Sequence, residues 1–474
     1  MNILLITCDQ LRQDYVGWAR DSRIATPNID RIALQGCAFE DAITTTPLCV
    51  PARCSLMTGL YAHQHGSTGN SGDLRRDLPT FASALKAAGY RTEIVGKGHW
   101  SFHLADSGDE PTRENYLRKK QAAQEAYGWD YWYETTGKEM PRHHYFDWCH
   151  DLEDAGIGYD EYRSYINDAS AGGYDQKLPL AERFAEGQWP YEPDLYVDNC
   201  IGRRATERLA RLTTSEQPFL LWASFCGPHP PYDPPAEYLA QEELDDGIEP
   251  IPPVDGELSS DDKRHLAELR RRYRAMIRLI DDQVGQLLDT LEASGQDDTL
   301  VIFTADHGEM LGDHGKLNKN LFYRSSVSIP MAIRGPGITP GNRYDRPVEL
   351  TDVTGTILDA AGLNPLKALS PVSPARSLLP AARDPGNTTV RTHAYSTLAP
   401  GWHMIKNASH KYVSGPSGAH GEPWQWLVCN RNDPDEQKDQ SDNDAFNHLA
   451  MPLRDMLLQT LQRHPAPIGK WIPA

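Results

Sequence analysis

The segment Asn2-Ile3-Leu4-Leu5-Ile6-Thr7 runs apolar and then breaks sharply into Cys8-Asp9-Gln10. A strand without apolar/polar alternation must be buried on both faces, which requires helices packed on both sides of its sheet. This one segment therefore predicts a central strand of a parallel sheet. Similar β-rich runs recur at residues 90–95, 218–225 and 299–304. Between them, residues 27–35 and 79–88 have helical character, each opening on proline and stopping before glycine. Residues 266–291 place Leu266, Leu269, Tyr273, Ile277, Ile280, Val284, Leu287 and Leu291 at steps of three and four, the stripe of one long helix. Ser259-Ser260-Asp261 can cap its start and Gly295 can end it. The alternation predicts an α/β fold with a large, mostly parallel central sheet flanked by helices.

Residues 101–195 are rich in aromatics, charges and glycine and read as insertions around that sheet, lining a pocket. The aromatics Tyr127, Trp129, Tyr131, Trp132, Tyr133, Tyr145, Phe146 and Trp148 suit either stacking on a substrate ring or an insertion core. Residues 364–384 look like a linker. Beyond them, short β-type runs at 388–395, 410–413 and 424–429 precede an amphipathic helix near 447–462. The expected division is a catalytic α/β domain over 1–365 and a smaller C-terminal α+β subdomain over 366–474.

The net charge of −19 disfavours nucleic acid and anionic membranes as partners. It also means that an anionic substrate needs a local positive site. Eight scattered cysteines without a C-x-x-C pair indicate neither a zinc site nor a redox motif. The N-terminal apolar run is too short for an export signal or a membrane helix, so the expected location is the cytoplasm with reduced thiols. The composition is compatible with a homo-oligomer.

The chemistry-bearing residues cluster just beyond the strand-like runs. Asp9-Gln10 follows the first, Gly96-Lys97-Gly98-His99 the second, Pro228-His229 the third and Asp306-His307 the fourth; Gly312 to Lys319 lies in the loop beyond. In open α/β sheets ligands sit past the carboxyl ends of the strands, so these clusters form one rim. Asp9, Asp306 and His307 offer hard oxygens and an imidazole, a set suited to Ca²⁺, Mg²⁺ or Mn²⁺. Separately, Cys49-Val50-Pro51-Ala52-Arg53 forms a C-x-P-x-R pattern. His63, His65 and Cys54 read as structural. The basic run Arg270 to Arg274 reads as the solvent side of the long helix, paired with acidic neighbours.

Taken together, residues 44–66 around C-x-P-x-R and 304–313 around Asp306-His307 make the chain resemble the type I sulfatases of the alkaline phosphatase superfamily. The resemblance extends from Asn2 to the C-terminal helix. It implies that a formylglycine-generating enzyme oxidises Cys49 to formylglycine, hydrated to a gem-diol that attacks a small anionic sulfate ester. It implies a metal site of Asp9, Gln10, Cys49, Asp306 and His307, with Ca²⁺ first and Mn²⁺ or Mg²⁺ as alternatives. Arg53 would support the diol. Lys97, His99, His229 and Lys319 would surround the sulfate and leaving oxygen, and Asn70 matches a polar residue near the anion. The expected activity is that of a sulfuric ester hydrolase.

Three departures from the family pattern stand out. Gln10 replaces a second carboxylate. Arg324 stands in Phe322-Tyr323-Arg324-Ser325 where acidic residues are usual, either reading an acidic group on the substrate or pairing at the surface. Lys316 is a second lysine near Lys319. The alternative reading is a phosphonate monoester or phosphodiester hydrolase, against which the Lys97/His99 loop argues. A non-catalytic binding protein would have lost a ligand or the nucleophile, and none is missing.

Overall fold

The computed structural model describes residues 1–100, 112–142, 145–184, 187–244, 249–386, 388–417, 423–441 and 445–466. Its strands are β1 (Ile3–Cys8), β2 (Cys37–Phe39), β3 (Ala42–Ile43), β4 (Arg91–Gly96), β5 (Tyr131–Glu134), β6 (Phe219–Ser224), β7 (Leu300–Ala305), β8 (Met331–Arg334), β9 (Asn342–Tyr344), β10 (Val348–Glu349), β11 (His393–Leu398), β12 (Trp402–Asn407), β13 (His410–Ser417) and β14 (Pro423–Cys429). Eight form the central sheet in the order β5-β4-β6-β1-β7-β8-β2-β9. Only β8 runs against the rest. All six residues of β1 are buried, as are those of its neighbours β6 and β7, which is what their unbroken apolar sequence demands.

Register decides where the site lies. Thr7 pairs with Ser224 and Thr304, Cys8 with Ala305, and Gly96 with Ser224. The carboxyl ends of β4, β6, β1 and β7 are therefore level. The ladder continues one residue further, through Lys97 N to Ser224 O (2.8 Å), Asp9 N to Gly227 O (3.1 Å) and Asp306 N to Cys8 O (3.3 Å). Lys97, Asp9 and Asp306 thus leave β4, β1 and β7, with β6 between the first two, at one edge.

The long helix spans Ser260–Ala293, with the Ser259 hydroxyl accepting from Asp262 N as its cap. Its basic run is not on the solvent side. Arg270, Arg272 and Arg274 are buried, held by Asp313, Glu268 and Glu242. The apolar stripe is flanked by buried ion pairs, which periodicity in hydrophobicity does not register. Residues 364–384 are not a free linker either. They form short helices at Pro365–Ala368 and Leu379–Arg383, and Leu378, Leu379, Ala381 and Ala382 join the main core. The aromatics settle as insertion core: Trp100 stacks with Trp129, Trp132 and Trp222, and Tyr127, Tyr133, Tyr145, Phe146 and Trp148 are buried. Part of the 101–195 insertion, residues 101–111 among it, lies outside the described residues.

The C-terminal part is an antiparallel sheet, β11-β12-β13-β14, followed by a helix at Phe446–Arg463. Period-two alternation splits it into two buried faces. Tyr395, Ile405 and Tyr412 pack with Leu453 and Leu457 of the helix, while Ala394, Met404 and Val413 pack with Ile43, Phe322 and Val327 of the main body.

Candidate active site

Cys49 opens a ten-residue helix, Cys49–Thr58, in which every residue is buried. Pro51 is harmless in the first turn, where backbone N–H groups have no intrahelical acceptor. Asn70 Oδ1 accepts from one of those groups, Val50 N (3.1 Å), and Gly59 closes the helix in the left-handed conformation at φ 64°. The helix thus aims its positive N-terminal end at the strand rim.

Asp9, Cys49, Asp306 and His307 place one donor atom each within 4.8 Å of one another, all buried. His307 Nδ1 lies 2.9 Å from Gly308 O, so it carries the ring proton and donates it to that carbonyl. Nε2 faces the cluster, 3.2 Å from Cys49 Sγ, 3.9 Å from Asp9 Oδ1 and 3.7 Å from Asp306 Oδ1; burial opposes a charge on the ring, but Asp306 and Cys49 outweigh it and raise its pKa. Two carboxylates and an imidazole nitrogen turned into one buried cluster fit a divalent cation; with Cys49 they are four of the five residues expected to hold it.

Arg53 is the hub. Nε donates to Asp306 Oδ2 (2.8 Å), Nη2 to Asp9 Oδ2 (3.3 Å), and Nη1 to Lys97 O (2.6 Å) and Ser224 Oγ (2.9 Å). Lys97 Nζ lies 2.5 Å from Asp9 Oδ2. Burial works against the Asp9 carboxylate, but Lys97, Arg53 and Lys319 outweigh it and hold its pKa well below the carboxylate range. Burial and Asp9 oppose ionisation of the Cys49 thiol, yet Lys319, His307 and Lys97 bring its pKa below the ordinary value. The site is cationic inside an acidic molecule.

The remaining expected residues come together at the same edge. Burial, then the cationic neighbours Lys319 and Lys97, push His229 well below its usual pKa; its Nδ1 is 2.7 Å from Pro230 O. Burial, then Lys97, does the same for His99, which adopts φ 58°. Lys319 is buried and donates to Gln10 Oε1, whereas Lys316 is exposed. Gln10 is buried, with its side-chain amide held between Lys319 and Glu309. Arg324 joins a different group. Its guanidinium pairs with Asp21 (2.5 Å) and its N–H donates to Glu436, along a cleft of about 600 Å³ shared with Arg343 and Lys406.

Three supporting carboxylates went unread in the sequence. Glu134, at the end of β5, accepts from Gly98 N (3.0 Å) and fixes the Lys97–His99 loop. Asp198 accepts from Cys226 N (2.7 Å) and Gly227 N (3.2 Å), leading into His229. Glu309 lies two residues past His307. Glu134 obeys the same strand-end rule as the other clusters and was within reach of it; Asp198 sits inside a helix and carries no such signal.

The family model described as Sulfatase matches residues 1–363. The arylsulfatase of Clostridium perfringens is 29% identical over 385 residues, covering 77% of this chain and 75% of its own. The choline-sulfatase of Rhizobium meliloti is 28% identical, covering 80% and 71%. Among solved structures, a phosphonate monoester hydrolase from Silicibacter pomeroyi superposes with a TM-score of 0.77 at 22% identity, over 98% of this chain and 96% of that one, a likeness of fold. With the family model spanning the sheet, the Cys49 helix and the cluster at their junction, the chain belongs to the sulfatase family, the sulfuric ester hydrolases of the alkaline phosphatase superfamily.

Proposed function

We propose that this protein hydrolyses a small aryl or sugar sulfate ester using a formylglycine made from Cys49 and a divalent cation held by Asp9, Gln10, Asp306 and His307, with Ca²⁺ first and Mn²⁺ or Mg²⁺ as alternatives. The observation that carries this reading is the buried Asp9/Cys49/Asp306/His307 cluster at the N-terminus of the Cys49 helix. The hydrated formylglycine supplies the attacking oxygen, and the cation supplies positive charge beside it and against the sulfate oxygens.

This chain's own residues do the rest. Arg53 keeps Asp9 and Asp306 oriented toward one point. Lys97 and Lys319 add a preorganised positive field, so the sulfate is met by charge fixed before it arrives. The departing alcohol needs a proton. His229 rests neutral beside two lysines, so Lys319 is the donor this arrangement favours. His99, also kept neutral, is the base suited to expel sulfate in the second step. The eight cysteines are all buried and free, which supports a cytoplasmic, reducing location. Arg324 pairs with Asp21 at the surface, which supports the surface-pairing alternative for this residue.

The second reading, phosphonate monoester or phosphodiester hydrolysis, is supported by the Asp9-Gln10 and Asp306-His307 pairing, which suits either anion. Protein co-expressed with a formylglycine-generating enzyme and screened against small sulfate, phosphonate and phosphodiester substrates tests the proposal. The expected result is sulfate-ester turnover, lost on chelation and restored by Ca²⁺ or Mn²⁺. Undiminished activity in the presence of a strong chelator would overturn the metal assignment.

A further inference from the structure

Gln10 occupies the position where a second carboxylate was expected, and its surroundings explain why. The residue is fully buried with φ 66°. Its N–H donates to Asp306 Oδ1 (3.0 Å) and its carbonyl accepts from Tyr273 OH (2.6 Å), so the backbone cannot swing. The side-chain amide is read at both ends. Nε2 donates to Glu309 Oε2, and Oε1 accepts from Lys319 Nζ. An amide has two chemically different ends, and a carboxylate on one side with an ammonium on the other permits only one orientation.

Glu309 is itself held rigidly. It is fully buried, and its other oxygen accepts from Leu311 N (2.9 Å) and Asn318 N (2.6 Å). It contacts neither Cys49 nor Asp9 among the described hydrogen bonds. Among the described hydrogen bonds it reaches the site through Gln10 and through Asn318, the residue before Lys319, and its charge also faces Lys319.

We propose that Glu309 is a positioning residue that orients the Gln10 amide, directing Oε1 toward Lys319 and the cation site, and that position 10 carries an amide because the carboxylate of this pair sits one layer behind it. The inference rests on the metal reading above and assigns the carboxyl group expected at position 10 to position 309. A carboxylate at 10 would face Glu309 across hydrogen-bonding distance with no N–H to bridge them. Exchanging the two residues would keep both the hydrogen bond and the net charge.

The test is a reciprocal exchange in the full chain, converted to the same formylglycine content: Gln10→Glu, Glu309→Gln, and the double variant, plus Gln10→Ala with and without Glu309→Gln. Mn²⁺ dissociation constants come from calorimetric titration and melting temperatures from metal-free protein. Each exchange alone should lower the metal-free melting temperature, and the double variant should recover most of the loss. Glu309→Gln should weaken Mn²⁺ binding roughly tenfold, the scale of a lost supporting hydrogen bond behind a ligand, and should have no further effect once Gln10 is alanine. Losses that add in the exchanged pair, or an unchanged Mn²⁺ constant in Glu309→Gln, would overturn the proposal. Parent protein that binds no Mn²⁺ would instead count against the metal reading, while the melting temperatures still decide the pair.

Discussion

At the scale of single residues, the site depends on charges that cannot stand alone. Removing Arg53 leaves Asp306 buried without its ion-pair partner, and Asp9 with Lys97 and Lys319 but without the guanidinium. Arg53→Ala should destabilise the metal-free protein by about 3 kcal/mol or more, read by denaturant unfolding. Arg53→Lys should recover only part of this, because one ammonium cannot make four bonds in a planar fork. Asp198 behaves differently. Burial pushes its carboxyl up to about 6, and Oδ2 has no hydrogen-bond partner among the described residues. The native state therefore holds this proton more tightly than the unfolded chain, whose carboxyl titrates near 4. Its contribution is complete below pH 4 and is lost as pH rises through 6. Asp198→Asn should flatten the pH dependence of melting temperature between pH 4 and 7 relative to the parent; identical profiles would contradict the assignment. Such residues show how far the sequence reads: Asp9, Cys49 and Asp306 announce themselves by motif, but Asp198 and Glu309 matter only for what folding brings against them.

At the scale of elements, the site was legible because strand ends are legible. An apolar run that stops in a polar cluster marks both a buried strand and the residue leaving it, and four such runs produced Asp9, Lys97, His229 and Asp306 on one edge. What makes these ends coincide was not legible, because register depends on pairing between strands far apart in the chain. Gly96 illustrates the point. It sits at φ 113°, and a Cβ there would lie 2.0 Å from Ser224 O. Only glycine lets β4 end level with β6 and turn into Lys97. Gly96→Ala should cost roughly 3 kcal/mol in stability and lower kcat/KM through displacement of Lys97, measured on the same preparation. The long helix shows the opposite limit: its stripe was found by period, yet the burial of Arg270, Arg272 and Arg274 was not, because arginines read as surface until their acidic partners are placed.

At the scale of the whole molecule, the smaller sheet is anchored rather than tethered. Arg391 is buried just before β11 and joins it to the main body through Glu349 Oε1 (2.9 Å) and Asp352 Oδ2 (2.9 Å), while Tyr61 OH donates to Glu349 Oε2 (2.9 Å). Tyr61 belongs to the segment following the Cys49 helix. Breaking this group by Arg391→Ala should destabilise by about 3–5 kcal/mol, and a single unfolding transition should persist, since both sheet faces share apolar cores with their neighbours. A well-separated early transition of the C-terminal part would show that the two regions are independent. Composition foresaw a second region but read its approach, residues 364–384, as a linker, because proline, alanine and serine carry little periodic signal even when they pack.

The net charge of −19 now describes the exterior of a molecule whose interior gathers Arg53, Lys97 and Lys319 around one point. That arrangement makes a specific claim about chemistry: catalysis requires the converted Cys49 and favours sulfate esters. The most direct test is kcat/KM for an aryl sulfate and for the matching aryl phosphonate, measured across preparations whose formylglycine content is known from the mass of the peptide containing residue 49. The account predicts sulfate turnover proportional to that content, absent in Cys49→Ala and exceeding phosphonate turnover at every level. Turnover independent of formylglycine, or faster on the phosphonate, would contradict it.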